Sequence, residues 1–549
     1  GPTIITAGTL TLGDGTTNGS IATSSNIAND GTLVFNRTGG SFSYANVISG
    51  FGSVVKNGTG TQIFSGSNTY SGGTTINGGT IQVGSGGTTG TLGSGTITFT
   101  NNAALVFNRT NGVVQGTDFG FIDGTGSVTQ SGSGAVTLSY SNSYSGGTNI
   151  TSGSLIVGTT DALGTGSVTL AGGTLSGTTG ADITLANDLV AQANTTSGLF
   201  TNGRNLGING NLTGSGNINR TATGNPATVF LGGDNSGYSG TFTVDANASA
   251  ATRFTAATAG SQAAKWVINQ SFNTRASLEF SGGTIKFGSL TGTGFLTSSG
   301  TNTIEVGALG LSETFSGVLN QGIATPLAVT KVGAGTWTLT GANTYTGDTT
   351  VNAGVLAMNG NAIANGNKLV INGGKVDPMG ATEVVNTLYF GTAQQASGTW
   401  GSSASTATHI DDTHFTGTGV VSVTTAPVAG YSSWANANGA TGQTMDQDHD
   451  NDGVKNGIEY FMGETGSTFT ANPAAVNGTV TWPMGATYTG VYGTDYEVQS
   501  STDLVTWTQV SVGTGDNTVA VNPGPTPARS VVYDVPTGGK SFVRLVVRN

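Results

Sequence analysis

Three stretches of this 549-residue chain are near copies of one another, so any fold must give them the same local structure. Gly52 to Gly84 reads GSVVKNGTGTQIFSGSNTYSGGTTINGGTIQVG, and Gly126 to Gly158 reads GSVTQSGSGAVTLSYSNSYSGGTNITSGSLIVG. A third copy begins at Leu327, LAVTKVGAGTWTLTGANTYTGDTTVNAGVLAMNG. Tyr70, Tyr144 and Tyr345 align, and a degenerate fourth copy surrounds Tyr238 in GDNSGYSGTFTV. Self-similarity of this kind marks stacked units rather than a globule built around one pocket. It favours a structural or surface role over catalysis.

Within the copies, Ile81 and Val83 alternate with Thr80 and Gln82, and their counterparts are Leu155 with Val157 and Leu356 with Met358. Phe64, Leu138 and Leu339 share one repeat position, as do Ile76, Ile150 and Val351. Alternation with aliphatic residues at fixed positions is a strand signal. The SGG, NGG and NAG punctuation supplies residues that accept a positive φ. The 93 glycines would suit a disordered chain, but disordered chains lack the β-branched residues abundant here. A β-rich fold with many tight turns is expected.

Charged residues make up 8% of the chain and the net charge is −11. No basic patch is visible, which argues against nucleic-acid binding by phosphate neutralisation. There is no cysteine, so disulfides and thiolate metal sites are excluded. No apolar run reaches the 18 residues of a membrane-spanning helix. Gly1-Pro2 is similar to the scar of tag removal, so an export signal is expected to have been cut away.

Tyr144 follows Tyr70 by 74 residues, which leaves room for further units such as LVFNRT at Leu33 to Thr38 and again at Leu105 to Thr110. Interleaved strand units of this kind fit a solenoid of stacked parallel coils. With ~20 residues per coil, residues 1–425 would give about 20 coils and a rod of roughly 100 Å.

The copies resemble the autotransporter-associated β-strand repeat, also called the passenger-associated transport repeat. KVGAGTWTLTGANTYTGDTTVNAGVL, from Lys331 to Leu356, matches its pattern with few departures, and the stretches ending at Val83 and Val157 match well. The resemblance implies a right-handed parallel β-helix in an exported bacterial surface protein. Autotransporters end in an outer-membrane barrel of ~10-residue alternating strands. The residues after Thr425 show no such pattern, so self-transport is not part of the expectation. Residues 388–425 look like the capping segment of such helices.

Composition changes at Ala426-Pro427-Val428-Ala429-Gly430, expected to be a hinge. Residues 426–466 are read as a linker, and 467–549 as a small β-sandwich with strands near Tyr496, Trp507, Val519, Val532 and Val543 and a turn at Pro523 to Pro527. The linker holds the one stretch with metal chemistry. Asp448, Asp450, Asp452, Gly453, Val454, Asn456 and Glu459 fill positions 1, 3, 5, 6, 7, 9 and 12 of an EF-hand-type loop. Calcium takes six to eight oxygens, and alternate residues of a tight loop converge on one point. The expected ligands are the three aspartates, the Val454 carbonyl, Asn456, and Glu459 with both oxygens. GIEYFM (457–462) should start the exiting helix, burying Ile458, Phe461 and Met462, and YSSWANA a partner helix. The loop resembles those of dockerins and thrombospondin type 3 repeats, and calcium is expected to rigidify the joint to the C-terminal domain.

Other candidates have plainer readings. His409, Asp411, Asp412 and His414 suggest zinc or iron, but strand alternation turns one His–Asp pair away from the other; a polar cap turn is preferred. Asp118 with Asp123, or Glu305 with Glu313, could be carboxylate pairs for glycoside cleavage, in a rod too poor in charge for such a groove. Tyr70, Tyr144, Tyr345 and Trp337 could stack on sugars, although a repeated Tyr beside a Gly turn reads better as packing. The sequence thus predicts an all-β, extracellular or cell-surface, non-enzymatic rod acting as adhesin, spacer or filament subunit, with end-to-end self-association among its expected contacts. A glycan or host-surface ligand, and a carbohydrate-binding sandwich or a β-helix lyase or hydrolase, are the alternatives.

Overall fold

The computed structural model describes residues 1–21, 25–221, 227–245, 251–269, 276–322, 326–360, 362–363, 366–425, 430–440, 442–463, 473–485, 488–523, 529–538 and 541–548. The chain divides into two compact units, Gly1–Thr425 and Ala426–Asn549. Most of the hinge, 426–429, and of the proline turn, 524–527, lies outside the described residues.

The first unit is a parallel β-solenoid of about 16 turns. Its strands are short, and each pairs with the strand one coil earlier and one coil later. Six strands, from Thr9–Leu12 to Ile122–Gly124, form one ladder, and nine, from Ser41–Tyr44 to Leu212–Gly214, form another. A fifteen-stranded sheet runs from Val113–Val114 to Ala393–Gln394, and a seven-stranded one from Ile183–Leu185 to Val318–Gln321. Before residue 391, parallel partners lie from 19 residues apart (Lys368 with Thr387) to 26 (Ser261 with Phe287). The sequence expectation of about 20 coils is therefore too high. Twenty residues close a coil within each copy, but most coils between the copies carry longer corners. At a ~4.8 Å rise, 16 turns span roughly 75 Å.

Period-2 alternation fixes which side chains enter. Phe64, Leu138, Leu339, Ile76, Ile150 and Val351 all have no exposed surface, and together with their neighbours they form one continuous core. The aligned tyrosines belong to this core. Tyr70, Tyr144 and Tyr345 are fully buried, and each hydroxyl meets the threonine four residues on, at 2.7, 2.7 and 2.8 Å (Thr74, Thr148 and Thr349). A buried phenol needs such a partner. Trp337 is 2% exposed, and its indole N–H donates to the Leu290 carbonyl. None of the four presents a face to a sugar; packing is their role.

Glycine is required where a corner passes close under its neighbour. Gly153 and Gly354 share one repeat position, with φ of 59° and 67°. A Cβ there would sit 2.2 Å from the Gly134 oxygen and 2.4 Å from the Gly333 oxygen, closer than any side chain tolerates.

The solenoid closes by changing strand direction. Ala393–Gln394 folds back antiparallel on Thr387–Phe390, and Gly398–Gly401 runs antiparallel to Val420–Val423. A two-residue edge strand offers little ladder to a passing chain. Within 388–425 the chain thus leaves the parallel pairing of the coils before it.

The second unit has helices α1 (Tyr431–Ala437) and α2 (Asn456–Met462) and two three-stranded antiparallel sheets. One sheet orders Thr479–Pro483, Ser530–Asp534 and Val519–Asn522; the other orders Thr508–Gln509, Tyr496–Ser501 and Phe542–Val547. Tyr460 and Phe461 of α2 share a core with Trp482, Val498, Val531 and Leu545. The segment read as a linker therefore packs with the sheets. Among the described residues no helix is long and apolar enough to cross a membrane.

Replacing Tyr345 tests the core assignment. Tyr345→Phe should cost about 1 kcal/mol through the stranded Thr349 hydroxyl. Tyr345→Ala should cost about 3–5 kcal/mol by opening a cavity. Urea unfolding, with hydrogen exchange localised to residues 329–358, gives both values.

Candidate metal centre

The acidic loop is framed by α1 and α2. The Tyr431 and Tyr460 rings meet edge to face at 5.8 Å, and Trp434 lies 6.1 Å from Tyr460. The exiting helix forms where the apolar pattern places it. Phe461 is fully buried, while Ile458 and Met462 pack partly buried against the same core. Gly463, with φ of 76°, ends α2 in the left-handed conformation.

Between the helices the loop is drawn tight by its own carboxylates. Asp448 Oδ2 accepts the Gly453 N–H at 2.9 Å, and Asp452 Oδ1 accepts the Val454 N–H at 2.7 Å. Asp450 Oδ1 accepts the Asp452 N–H at 3.3 Å. Asn451 and Gly453 provide the sharp reversal, with φ of 60° and 93°. Asp448, Asp450 and Asp452 each bring a carboxylate oxygen within 4.8 Å of the others. Asp448 Oδ1 is buried and has no hydrogen-bond partner among the described residues.

The remaining expected ligands sit differently. Glu459 is fully buried, and Asp450 and His449 bring ligand atoms to within 4.8 Å of its carboxylate. Asn456 turns toward His449: its Oδ1 accepts the His449 backbone N–H at 3.0 Å and lies 3.0 Å from the ring Nδ1. Its Nδ2 donates to Gln443 Oε1 and to the Thr444 carbonyl. The Val454 side chain is buried. The structure thus gathers the three aspartates at one point and links Glu459 to them through Asp450. His449, whose ring Nδ1 is 3.5 Å from Glu459 Oε2, is a member that sequence reasoning passed over. Its only signal was an imidazole embedded in a D-H-D run.

An all-oxygen set around an unpartnered buried carboxylate oxygen fits a hard divalent cation, since three carboxylates this close repel one another without one. Such an ion, when bound, would supply charge neutralisation and a fixed loop conformation. Asp448, Asp450 and Asp452 would hold it.

The other candidates are tied into the fold. His409 stacks on Trp400 at 4.4 Å and His414 on Phe390 at 3.8 Å, while Asp411 bonds His414 Nδ1 at 2.7 Å. Asp412 accepts the Ser403 N–H. These residues are held by packing and hydrogen bonds within 388–425. Asp118 lies 3.7 Å from Arg109, and Glu305 lies 3.6 Å from Lys286. Glu313 is bonded by Lys265 and Ser289. Asp123 lies on the strand Ile122–Gly124 at the end of its ladder.

The model of the passenger-associated transport repeat matches residues 54–83, 128–157 and 329–358. This chain carries three passenger-associated transport repeats. No curated protein and no solved structure matched the chain. Each repeat is a self-paired unit. Its first strand pairs with its third (Val54 with Thr74, Val128 with Thr148, Val329 with Thr349), and its second pairs with its fourth.

One position in the repeat holds a buried polar chain. Lys331 Nζ donates to the carbonyls of Val332, Gly333 and Ala353 at 2.7, 2.8 and 3.1 Å. Lys56 reaches the carbonyls of Asn57, Gly58 and Gly78 in the same way, and Gln130 those of Gly132 and Gly134. Burial pushes both ammonium groups down to about 8. These side chains gather the carbonyls that a sharp corner turns inward, where an unmet acceptor is expensive. Lys331→Met should therefore lose about 3 kcal/mol, and Lys331→Gln about 1 kcal/mol, because Gln130 already fills this role in a sister repeat. The urea midpoints of the two variants decide the matter; equal losses would contradict the carbonyl-gathering role.

Proposed function

We propose that this chain is a non-enzymatic component of a bacterial cell surface, whose solenoid serves as a stiff spacer. The observation that supports this most is the stack of overlapping parallel ladders around one continuous core. It gives way to antiparallel pairing at Ala393–Gln394, and Asp118, Glu305, Glu313, His409 and His414, candidates for chemistry, are occupied in holding the fold. The repeat family, associated with exported passengers, points the same way. Adhesion by the rod, or its use as a filament subunit, belongs to the same reading.

Labelling of intact producing cells with antibody to residues 1–425 tests the location. Signal without permeabilisation is the expected result, and signal only after lysis would refute it. Electron microscopy of the purified chain should show rods of roughly 75 Å from a 16-turn stack.

Calcium is proposed as the ion of the Asp448–Glu459 loop, fixing the segment between α1 and α2. Saturating calcium at about 100 times Kd should add about 2.7 kcal/mol to the unfolding free energy of the second unit. Asp450→Asn should weaken binding by at least about tenfold, since Asp450 belongs to both carboxylate groups. Isothermal titration and melting with and without chelator measure both. A chain indifferent to chelator would remove calcium from the account.

A further inference from the structure

Asn-Gly pairs recur along this chain, and the fold treats them unequally. Asn77 Nδ2 donates to Asn57 Oδ1, and Asn372 Nδ2 to Asn352 Oδ1, each at 2.8 Å. The side chains of Asn57, Asn77 and Asn372 are thus held from coil to coil. Asn18 grips Thr38 through both ends of its amide. Asn456 is fully buried in α2, and the Gly457 N–H donates to the Met445 carbonyl at 2.9 Å.

Asn477-Gly478 has no such ties. The pair is the centre of a turn closed by two hydrogen bonds. The Val476 N–H donates to the Thr479 carbonyl at 2.8 Å, and the Thr479 N–H to the Val476 carbonyl at 3.0 Å. With φ of 50° and 82°, both central residues are left-handed, the conformation that favours Asn-Gly in a two-residue loop. Among the described residues the pairing across this turn is that single bridge. Both residues are exposed, and a Cβ on Gly478 would meet nothing within 4 Å. Among the described residues, neither the Asn477 amide nor the Gly478 N–H has a hydrogen-bond partner.

An asparagine so placed can lose its side-chain nitrogen. The Gly478 backbone nitrogen gives up its proton to water and bonds to Asn477 Cγ, and the side-chain nitrogen leaves as ammonia. The five-membered imide takes up one water, which opens it to aspartate or isoaspartate. Glycine puts no side chain in front of the attacking nitrogen. Reaching the reactive backbone angle breaks only the two hydrogen bonds of the turn. In a ladder, the same change would break bonds to neighbouring coils.

We infer that Asn477 is a modification site, where the folded chain deamidates to aspartate and isoaspartate while Asn57, Asn77, Asn372 and Asn456 stay intact. The product carries a new carboxylate, and isoaspartate also adds a methylene to the backbone of the turn. Val535 donates its N–H to the Gly478 carbonyl at 2.8 Å, and Val480 and Trp482 just beyond share a core with Phe461. The change falls at the entrance to a core strand.

The test is incubation of the whole chain at physiological temperature and mildly alkaline pH, both folded and in urea. Peptide mapping by mass spectrometry, with fragmentation that separates isoaspartate from aspartate, follows each asparagine. In the folded chain Asn477 should convert about tenfold faster or more than Asn57, Asn77, Asn372 or Asn456, which react only through rarer openings. In urea the five should draw level, because only local sequence then differs. Asn477→Gln, whose longer amide closes a ring poorly, should abolish the fast phase of ammonia release. Equal rates at the five positions in the folded chain would overturn the inference. So would an Asn477 that persists in the folded chain while the unfolded chain converts, or a fast phase that survives in Asn477→Gln.

Discussion

Everything in the first unit depends on the backbone hydrogen bonds that join one coil to the next. They fix the spacing of coils at ~4.8 Å, and with it the distance between a corner and the corner beneath it. A Cβ cannot fit at the tightest of these approaches, which is why Gly153 and Gly354 recur at one position. The same stacking turns carbonyls inward at each sharp corner, so a long donor is needed there. Lys56, Gln130 and Lys331 supply it. Tyrosine and threonine then pair across the next bend. The repeat pattern records what one backbone geometry asks of its side chains.

The strand faces were legible because alternation leaves no ambiguity once glycine and asparagine mark the corners. Phe64, Ile76 and their counterparts all point inward as read. Coil number was less legible, because a corner can lengthen without changing the alternating pattern on either side of it. The buried lysines were missed for a different reason. A lysine followed by Asn-Gly or Val-Gly looks like a solvent-exposed turn residue, and only the alignment of Lys, Gln and Lys at one position betrayed an interior donor. The pair Arg37 and Arg109 shows the limit plainly. Identical hexapeptides cannot reveal that Arg109 donates to Asn111 and to the Gly90 and Thr88 carbonyls while Arg37 makes one long contact, to Gln62 at 3.4 Å.

In the second unit, the helix at 456–462 and the strands near Tyr496, Val519, Val532 and Val543 follow from their apolar patterns. The loop spacing brought Asp448, Asp450 and Asp452 together as a tight turn must. It did not reveal that Asn456 faces His449, since that depends on Gln443 and Thr444 approaching from outside the motif. Nor did it show that the loop-bearing segment shares a core with the sheets. Aromatic residues of α2 and of the strands find each other only in three dimensions.

The self-pairing of each transport repeat bears on how such a chain comes to be folded. A 30-residue repeat contains both partners of two ladders, with only about one coil of chain to close between them. Loop-closure entropy is then at its smallest, so each repeat can begin a coil without waiting for distant sequence. Between the second and third copies partners stand from 19 residues apart (Thr284 with Thr303) to 26 (Ser261 with Phe287), so closing a coil there costs only about 0.2 kcal/mol more. A coil can therefore begin at many places along the first unit, and addition to a formed end extends it.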